Sequence, residues 1–366
     1  MSKIDCQPLL QQQPYRLFMI TTGGGAGLQQ MFWETPGISS VFAGAEFPYS
    51  MEAQDRTLRF KPDRYVNENA AISYAMEAYY RAYEFGCPKA IGLGLTAVTA
   101  TNKEHKGDHR IHAAWFSEHG CRVVTVTLAK DVGVHARFLD GIHCDMVGLA
   151  MIGEALGIDD YKHLLSVESR DASAFAREIF FQKPYFTATG KRLSIKDAEL
   201  DLQAIFPGAF NPPHEGHFGM GTIFRKTTGL TPTYHITAET PHKPPLTVAD
   251  MLQRAKMLEG HDRMFTKGDP LYVDKAREFP HTPILIGADS LKRMLDPQWG
   301  VDMETLGATF HGYGTTFYVT ERTLDGSTIR VSDMELPKGL DVEVLPGRWN
   351  ISSSEVRAQL TSSSKT

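Results

Sequence analysis

Residues 208–221 read GAFNPPHEGHFGMG. An apolar run, LQAIF, precedes this stretch, and GHFGMGTIFRKTTG reads as a helix ending at Gly229, so a strand gives way to a helix here. At such a junction the unsatisfied N–H groups and the macrodipole of the helix favour an anion. Gly216 keeps the backbone bare beside His214 and His217, and two imidazoles can donate hydrogen bonds to phosphate oxygens. A metal reading of the pair lacks a third ligand at helpful spacing, and Glu215 points elsewhere around the helix, so no metal site is expected. Either histidine alone reads as a side chain satisfied by backbone groups.

Outward from this junction, the second half keeps alternating. TPTYHITAE is strand-like, and TVADMLQRAKMLEG carries Val248, Met251, Leu252, Ala255 and Leu258 on one helical face. TPILIGADSL is a buried strand running into Gly-Ala-Asp, TTFYVTER and DVEVLP are further strands, and SSSEVRAQL is a closing helix. Strands separated by helices predict a doubly wound parallel sheet, with ligands outside the carboxyl ends of its strands. The first half also predicts an α/β layer structure. YRLFMITTGGGAG, ISSVFAGAEF, KAIGLGLTAVTA and CRVVTVTLA are strand-like, and two amphipathic helices close on Gly86 and Gly157. From Asp159 to Leu202 the pattern loosens around a helix near Ala174–Phe181. The expected organisation is an α/β domain over 1–165, a connecting segment over 166–203 and a second α/β domain over 204–366.

A chain of 366 residues exceeds what one core usually serves, and 42% hydrophobic with 22% charged residues is ordinary for a globular protein. A net charge of −5 makes no global case for a nucleic-acid partner. No apolar run reaches membrane-spanning length and the N-terminal residues lack a signal-peptide core, so no membrane partner is expected. Cys6, Cys87, Cys121 and Cys144 are scattered without a CxxC pair and read as reduced thiols of a cytoplasmic protein.

A second motif, ISSSEVR, spans Ile351–Arg357. Ser352 and Glu355 form a capping-box pattern, and three serines with an arginine at a helix start make a second phosphate cradle. Together, His214-Glu215-Gly216-His217 and Ile351-Ser352-Ser353-Ser354-Glu355-Val356-Arg357 resemble the paired His/Thr-x-Gly-His and Ile-Ser-Ser-Thr-x-x-Arg signatures of the nucleotidyltransferase superfamily, with Ser354 in place of Thr. GADSLKRMLDPQW, PHKPPLTVADMLQRAKML (with Lys243 and Arg254) and FYVTER (with Arg322) are similar to segments of nicotinamide and nicotinate mononucleotide adenylyltransferases. The resemblance covers roughly residue 204 to the C-terminus and implies a Rossmann-like domain transferring an adenylyl group from ATP to a pyridine mononucleotide. It implies ATP over Gly208, Ala209 and Phe210, with Gly287 and with Asp289 accepting from the ribose. Ser352, Ser353, Ser354 and Arg357 would hold the outer phosphates, and His214 and His217 the phosphates in transfer. Asn211, Lys243 and Trp299 would take the mononucleotide, Lys243 at its phosphate and Trp299 stacked on its ring. Mg²⁺ would arrive on the ATP phosphates with few protein ligands.

The first half resembles the CinA C-terminal-domain family, known for nicotinamide mononucleotide amidohydrolases. The resemblance rests on the glycine turn after Thr22, on Pro36-Gly37-Ile38-Ser39, Gly44 and Tyr49-Ser50, and on GLTAVTA over Gly94–Ala100. It implies a pocket at Thr22, Gly23, Gly24, Gly25, Tyr49 and Thr96, and self-association into a homo-oligomer. The departures fall on the chemistry. The family's serine nucleophile aligns with Thr22, or with Ile20 in a shifted match, and its lysine is Gln54 here, which cannot deprotonate a hydroxyl. A pocket without amidase activity is therefore expected. NKEHKGDHRIH, Asn102–His112, reads as a solvated loop, or as a lining of this pocket or of a cleft between domains. The competing functions are transfer to another phosphate ester, a nucleotide-binding sensor without turnover, and an amidohydrolase using Thr22. The choice between amide and acid mononucleotide is open.

Overall fold

The computed structural model describes residues 4–12, 14–85, 89–104, 106–240, 243–268, 270–296, 302–324, 327–349 and 351–363. It forms two compact units, residues 1–182 with 247–253, and residues 183–246 with 254–366.

The first unit holds strands β1 (Arg16–Thr22), β2 (Phe42–Glu46), β3 (Ala90–Val98), β4 (Arg110–Ser117), β5 (Gly120–Thr127) and β6 (Arg170–Asp171). Their order in the sheet is β2-β1-β3-β4-β5-β6, parallel over the first three and antiparallel from β3 to β6. Its helices are α1 (Gly27–Trp33), α2 (Met51–Leu58), α3 (Glu68–Ala82), α4 (Val134–Leu156) and α5 (Ser173–Gln182). α3 is buried almost all round. A Cβ at Gly92 or Gly94 of β3 would come within 2.0–2.1 Å of an α3 carbonyl oxygen, so these glycines let the helix backbone press onto the strand. Leu17, Met19, Leu93, Leu95, Leu149 and Ile152 lie in the core between β1, β3 and α4. α4 closes on Gly157 at φ +69°, as the sequence predicts.

Two expectations need correction. Residues 110–112 of the histidine-rich segment belong to β4, where Ile111 and His112 are buried. The apolar run IHAAWFS behind them, pairing with both β3 and β5, overrides the polar look of the approach. α3 ends at Ala82, with Tyr83 donating its N–H back to Tyr79, before a short 3₁₀ turn; Gly86 lies outside the described residues. Cys6, Cys121 and Cys144 are buried, and Cys87 is outside the described residues.

The second unit contains β7 (Tyr185–Phe186), β8 (Arg192–Leu193), α6 (Ile195–Ala198), β9 (Ala204–Pro207), α7 (Glu215–Thr228), β10 (Pro232–Thr237), β11 (Arg263–Thr266) and α9 (Tyr272–Glu278), with the last residues, from Arg254, of α8 (Val248–Met257), whose earlier part is assigned to the first unit. It continues through β12 (Ile284–Gly287), α10 (Ala288–Met294), α11 (Met303–Gly312), β13 (Thr316–Leu324), β14 (Ser327–Ile329), β15 (Asp341–Trp349) and α12 (Ser353–Ser363). The sheet runs β14-β13-β12-β9-β10-β11-β7-β8, with β15 also on β13. The block β13-β12-β9-β10-β11 is parallel throughout. Numbered from β9, this is the doubly wound order 3-2-1-4-5 read from the other edge, and the direction of winding reverses between β9 and β12. The chain leaving β9 and the chain leaving β12 therefore diverge, opening a crevice at their carboxyl ends. Ile205, Ile284, Ile286, Leu291, Phe317 and Val319 pack the core beneath it. Among the described residues no helix is long and apolar enough to cross a membrane.

Candidate active site

The crevice is built from four chain segments. β9 ends at Pro207, and Gly208, Ala209 and Phe210 turn the chain, Phe210 at φ +44°. The Phe210 ring packs on Phe206, Tyr234 and His217, with centroids 5.3, 5.0 and 4.9 Å away. This aromatic anchor fixes the turn below the start of α7. The backbone N–H of His214 donates to His217 Nδ1 at 3.2 Å, and the two rings stack at 3.7 Å. A neutral His217 accepting at Nδ1 must carry its proton on Nε2, which is left as a donor. Burial, then His214, then Arg322 push the His217 pKa down to about 3, so the ring is neutral at physiological pH. Burial and Arg322 lower His214 too, against Glu355.

The second segment follows β12. Asp289, in the first turn of α10, is bonded to Arg322 at 3.2 Å and to Arg293 at 3.3 Å. Arg322 also donates to the Ile351 carbonyl at 3.1 Å, tying β13 to the loop before α12. That loop is the third segment. The Ser352 N–H donates to Glu355 at 2.6 Å, and the Glu355 N–H donates to Ser352 Oγ at 3.2 Å, which completes the capping box. Ser353 donates to the Pro212 carbonyl at 2.9 Å. Arg357 donates to the Asn211 carbonyl, and to Ser354 at 3.0 Å. These bonds draw the two sequence motifs together although about 140 residues separate them. The fourth segment, from Thr237 to Arg254, supplies Lys243, which is exposed, and Arg254, which donates to the Ala209 carbonyl at 2.8 Å.

Three cavities line this crevice and share walls. The first, about 190 Å³, is bounded by Gly208, His214, His217, Gly287, Asp289, Arg322, Trp349 and Ser353 among others. The middle one, about 510 Å³, is lined by Lys243, Arg254, Lys275, Arg293 and Arg357, with Gly208, Ala209 and Asn211. Among the described residues its lining contains no carboxylate. The third, about 740 Å³, is mostly apolar, with Leu271, Val273, Met294, Leu306 and Phe310. Lys243 reaches the middle and third cavities, and Arg293 lines all three. A lobe with five cationic side chains in its wall suits a polyanion, which meets a favourable field there. Among the described residues no group of three or more His, Cys, Asp and Glu side chains is placed to hold a metal ion.

The structure thus brings together Gly208, Ala209, Phe210, Asn211, His214, His217, Gly287, Asp289, Ser352, Ser353, Ser354 and Arg357, with Lys243 at the rim. Trp299 lies outside the described residues. Sequence reasoning missed Arg293, Lys275, His235 and Trp349. Arg293 stands four residues after Asp289 on α10, a spacing that signals an ion pair. Trp349 carries no such signal. Two extra residues, Pro346 and Gly347, bulge β15 between its pairings with Thr320 and Glu321, and the indole then lies over Gly219 of α7.

In the first unit, Thr22 and Thr96 are neighbours across β1 and β3, both buried. Gly23 turns at φ +79° and its carbonyl accepts from Thr99 at 3.3 Å; Gly25 follows at φ +86°. A Cβ at Gly24 would strike Cys144. Thr96 donates to the Tyr65 carbonyl at 2.8 Å. Tyr49 is 71% exposed, and Arg137 donates to its hydroxyl at 3.2 Å. Gln54 is buried, donating to the Tyr49 carbonyl at 3.1 Å and accepting from Tyr74 at 2.7 Å.

Comparison with known proteins divides along the chain. Some solved structures are similar over about two fifths of it. A competence-damaged protein (CinA) superfamily protein of Escherichia coli is 16% identical, over 40% of this chain and 83% of its own, with a TM-score of 0.31. A competence damage-inducible protein A of Klebsiella pneumoniae is 14% identical, over 41% and 92%, with a TM-score of 0.32. The competence/damage inducible protein CihA of Agrobacterium tumefaciens is 17% identical, over 39% and 85%, with a TM-score of 0.30. No curated protein is a sequence match to the chain. Residues 205–359, which hold the described lining of the crevice, match the cytidylyltransferase-like family, in keeping with the resemblance of this region to the nucleotidyltransferase superfamily.

Proposed function

We propose that the second unit transfers the adenylyl group of ATP to the phosphate of nicotinamide or nicotinate mononucleotide, giving NAD or its deamido form and pyrophosphate. The observation that carries this reading is the middle lobe, whose described lining includes five cationic side chains, sharing the Pro207–Ala209 wall with the cavity that holds the His214–His217 pair. Two phosphate-bearing substrates meeting there need such a field. The adenosine would occupy the smallest cavity, its ribose hydroxyls donating to Asp289. The triphosphate would run over Gly208 and Ala209 towards Ser353 and Arg357.

The acceptor's phosphate oxygen attacks the α-phosphorus in line, forming a P–O bond as the bond to pyrophosphate breaks. His217 Nε2–H donates to the oxygens that gain charge, and its neutrality means that it gives a hydrogen bond without being a proton source. Positioning and charge stabilisation account for the rate, with no covalent intermediate on the protein. With no carboxylate among the described residues of the middle lobe, Mg²⁺ would be carried on the triphosphate, supplying charge neutralisation there. We propose further that the first unit does not hydrolyse amides. Gln54, held by Tyr49 and Tyr74, offers no base to Thr22.

Purified protein given Mg-ATP and either mononucleotide should release pyrophosphate and form a dinucleotide separable by chromatography, with His217→Ala inactive. The family match makes CTP the competing donor. A cytidylylated product from CTP, and none from ATP, would replace the adenylyl reading.

A further inference from the structure

Trp349 closes β15 and lines the smallest cavity, together with His214, Met220, Asp289 and Ile351. It is partly buried, and two glycines fix its position. A Cβ on Gly219 of α7 would lie 2.5 Å from the indole Nε1 and 2.6 Å from Cε2 and Cζ2, so the ring rests on helix backbone that carries no side chain there. A Cβ on Gly347 would lie 3.0 Å from Cη2 and 3.3 Å from Cζ3, at the far end of the six-membered ring. Gly347 sits at φ +105°, which glycine adopts without steric cost, and it belongs to the bulge that turns Trp349 onto α7. An indole held in this way before a ligand arrives gives up little side-chain entropy on binding.

The register places this ring beside the groups that would hold the donor's sugar. Trp349 pairs with Arg322 across β15 and β13, so the two side chains leave the same face of the sheet. Arg322 is bonded to Asp289 at 3.2 Å and donates to the Ile351 carbonyl at 3.1 Å. A nucleoside base is attached directly to its ribose, so a ribose at Asp289 brings the base to the walls of this same cavity. Phe206 and Phe210 also line it, but both are buried and packed on each other and on Tyr234 and His217. Among the described wall residues, Trp349 is the one that keeps a broad aromatic face within reach of a ligand.

Resting on the transferase reading, we infer that Trp349 is the surface on which the base of the donor nucleotide stacks, and that it favours a purine over a pyrimidine, because a purine covers more of the indole. The test uses the full chain and compares calorimetric affinities for Mg-ATP, Mg-CTP and Mg-tripolyphosphate, which has the phosphates without a base. The wild type should bind ATP more tightly than CTP, and CTP more tightly than tripolyphosphate. Trp349→Leu keeps an apolar side chain without the ring. It should weaken ATP by about 5- to 150-fold, the scale of one base–aromatic stack, and CTP by less. Tripolyphosphate should bind as before, and Trp349→Phe should recover part of the loss. Gly219→Ala suits the helix but puts a methyl group where the indole rests, so it should weaken ATP several-fold and serves if Trp349→Leu does not fold.

Unchanged ATP affinity in folded Trp349→Leu, or in Gly219→Ala where the first does not fold, overturns the inference, as does an equal loss for tripolyphosphate. A wild type that binds CTP as tightly as ATP overturns the purine preference. Failure of the transferase reading appears separately, as a wild-type protein that forms no dinucleotide. The affinities still decide the role of Trp349 in that case, since they need no turnover.

Discussion

Replacing Gly287 by alanine adds one methyl group at the end of β12, and its effect can be worked through. Gly287 has φ −84° and ψ 154°, which any residue adopts, so the backbone carries no strain. The added Cβ would lie 2.6 Å from Asp289 Oδ1, and among the described residues the only other atom within 4 Å is Asp289 Cγ at 3.8 Å. Only the carboxylate has to move, by about 0.8 Å to reach an ordinary 3.4 Å contact. That displacement also shifts Oδ2, which carries the bonds to Arg322 and Arg293 at 3.2 and 3.3 Å, and weakens both. Partly exposed ion pairs are worth about 0–1 kcal/mol each, and glycine-to-alanine returns about 0.4–1 kcal/mol through the unfolded chain. Stability should therefore change by less than about 1 kcal/mol. If Asp289 accepts from the ribose, losing that charged hydrogen bond costs about 1.5–3 kcal/mol, a rise of about 10- to 150-fold in the Kd for Mg-ATP. Calorimetry with ATP and with 2′,3′-dideoxy-ATP isolates the ribose contribution. The wild type should prefer ATP, and the variant should bind both equally weakly. An unchanged Kd for ATP in a folded variant, or an equal loss for both nucleotides, would refute a ribose contact by Asp289.

Three further outcomes are expected. His217→Ala removes one preorganised donor and should lower kcat by about 10²- to 10³-fold with little change in substrate KM, read as dinucleotide formed per minute. Burial lifts the Asp145 carboxyl to about 6 against the N–H groups of Gly27 and Leu28, which hold it down. Its folded pKa is thus above the unfolded value, so its contribution is present at about pH 4 and lost as pH rises through about 6, by roughly 3 kcal/mol. Urea unfolding of Asp145→Asn from pH 4 to 8 should lack this slope. Gly23→Ala combines φ +79° with a Cβ 2.1 Å from the Ala97 carbonyl oxygen of β3, and should destabilise the first unit by about 2–5 kcal/mol. A melting temperature within 2 °C of wild type would contradict that geometry.

The sequence by itself determined whatever depends on near neighbours in the chain. The strand-to-helix junction after β9, the capping box at Ser352 and Glu355, and the glycine C-caps at Gly157 and Gly229 are local, because one helix end needs only the residues beside it. The pairing of the His214–His217 motif with the Ile351–Arg357 motif was also legible, through family resemblance. Strand β4 was not, because a polar approach concealed a segment whose burial depends on neighbours β3 and β5. Only the tertiary structure decided that β9 and β12 lie side by side, which opens the crevice where the chain reverses its winding. It alone collected Lys243, Arg254, Lys275, Arg293 and Arg357 around one lobe and turned Trp349 onto α7 through a bulge. Arg293 and Lys275, read singly in the sequence, carry no sign that they share a wall with the others. Their common field exists because strand order sets which distant segments share a wall, and no local pattern in the chain encodes that order.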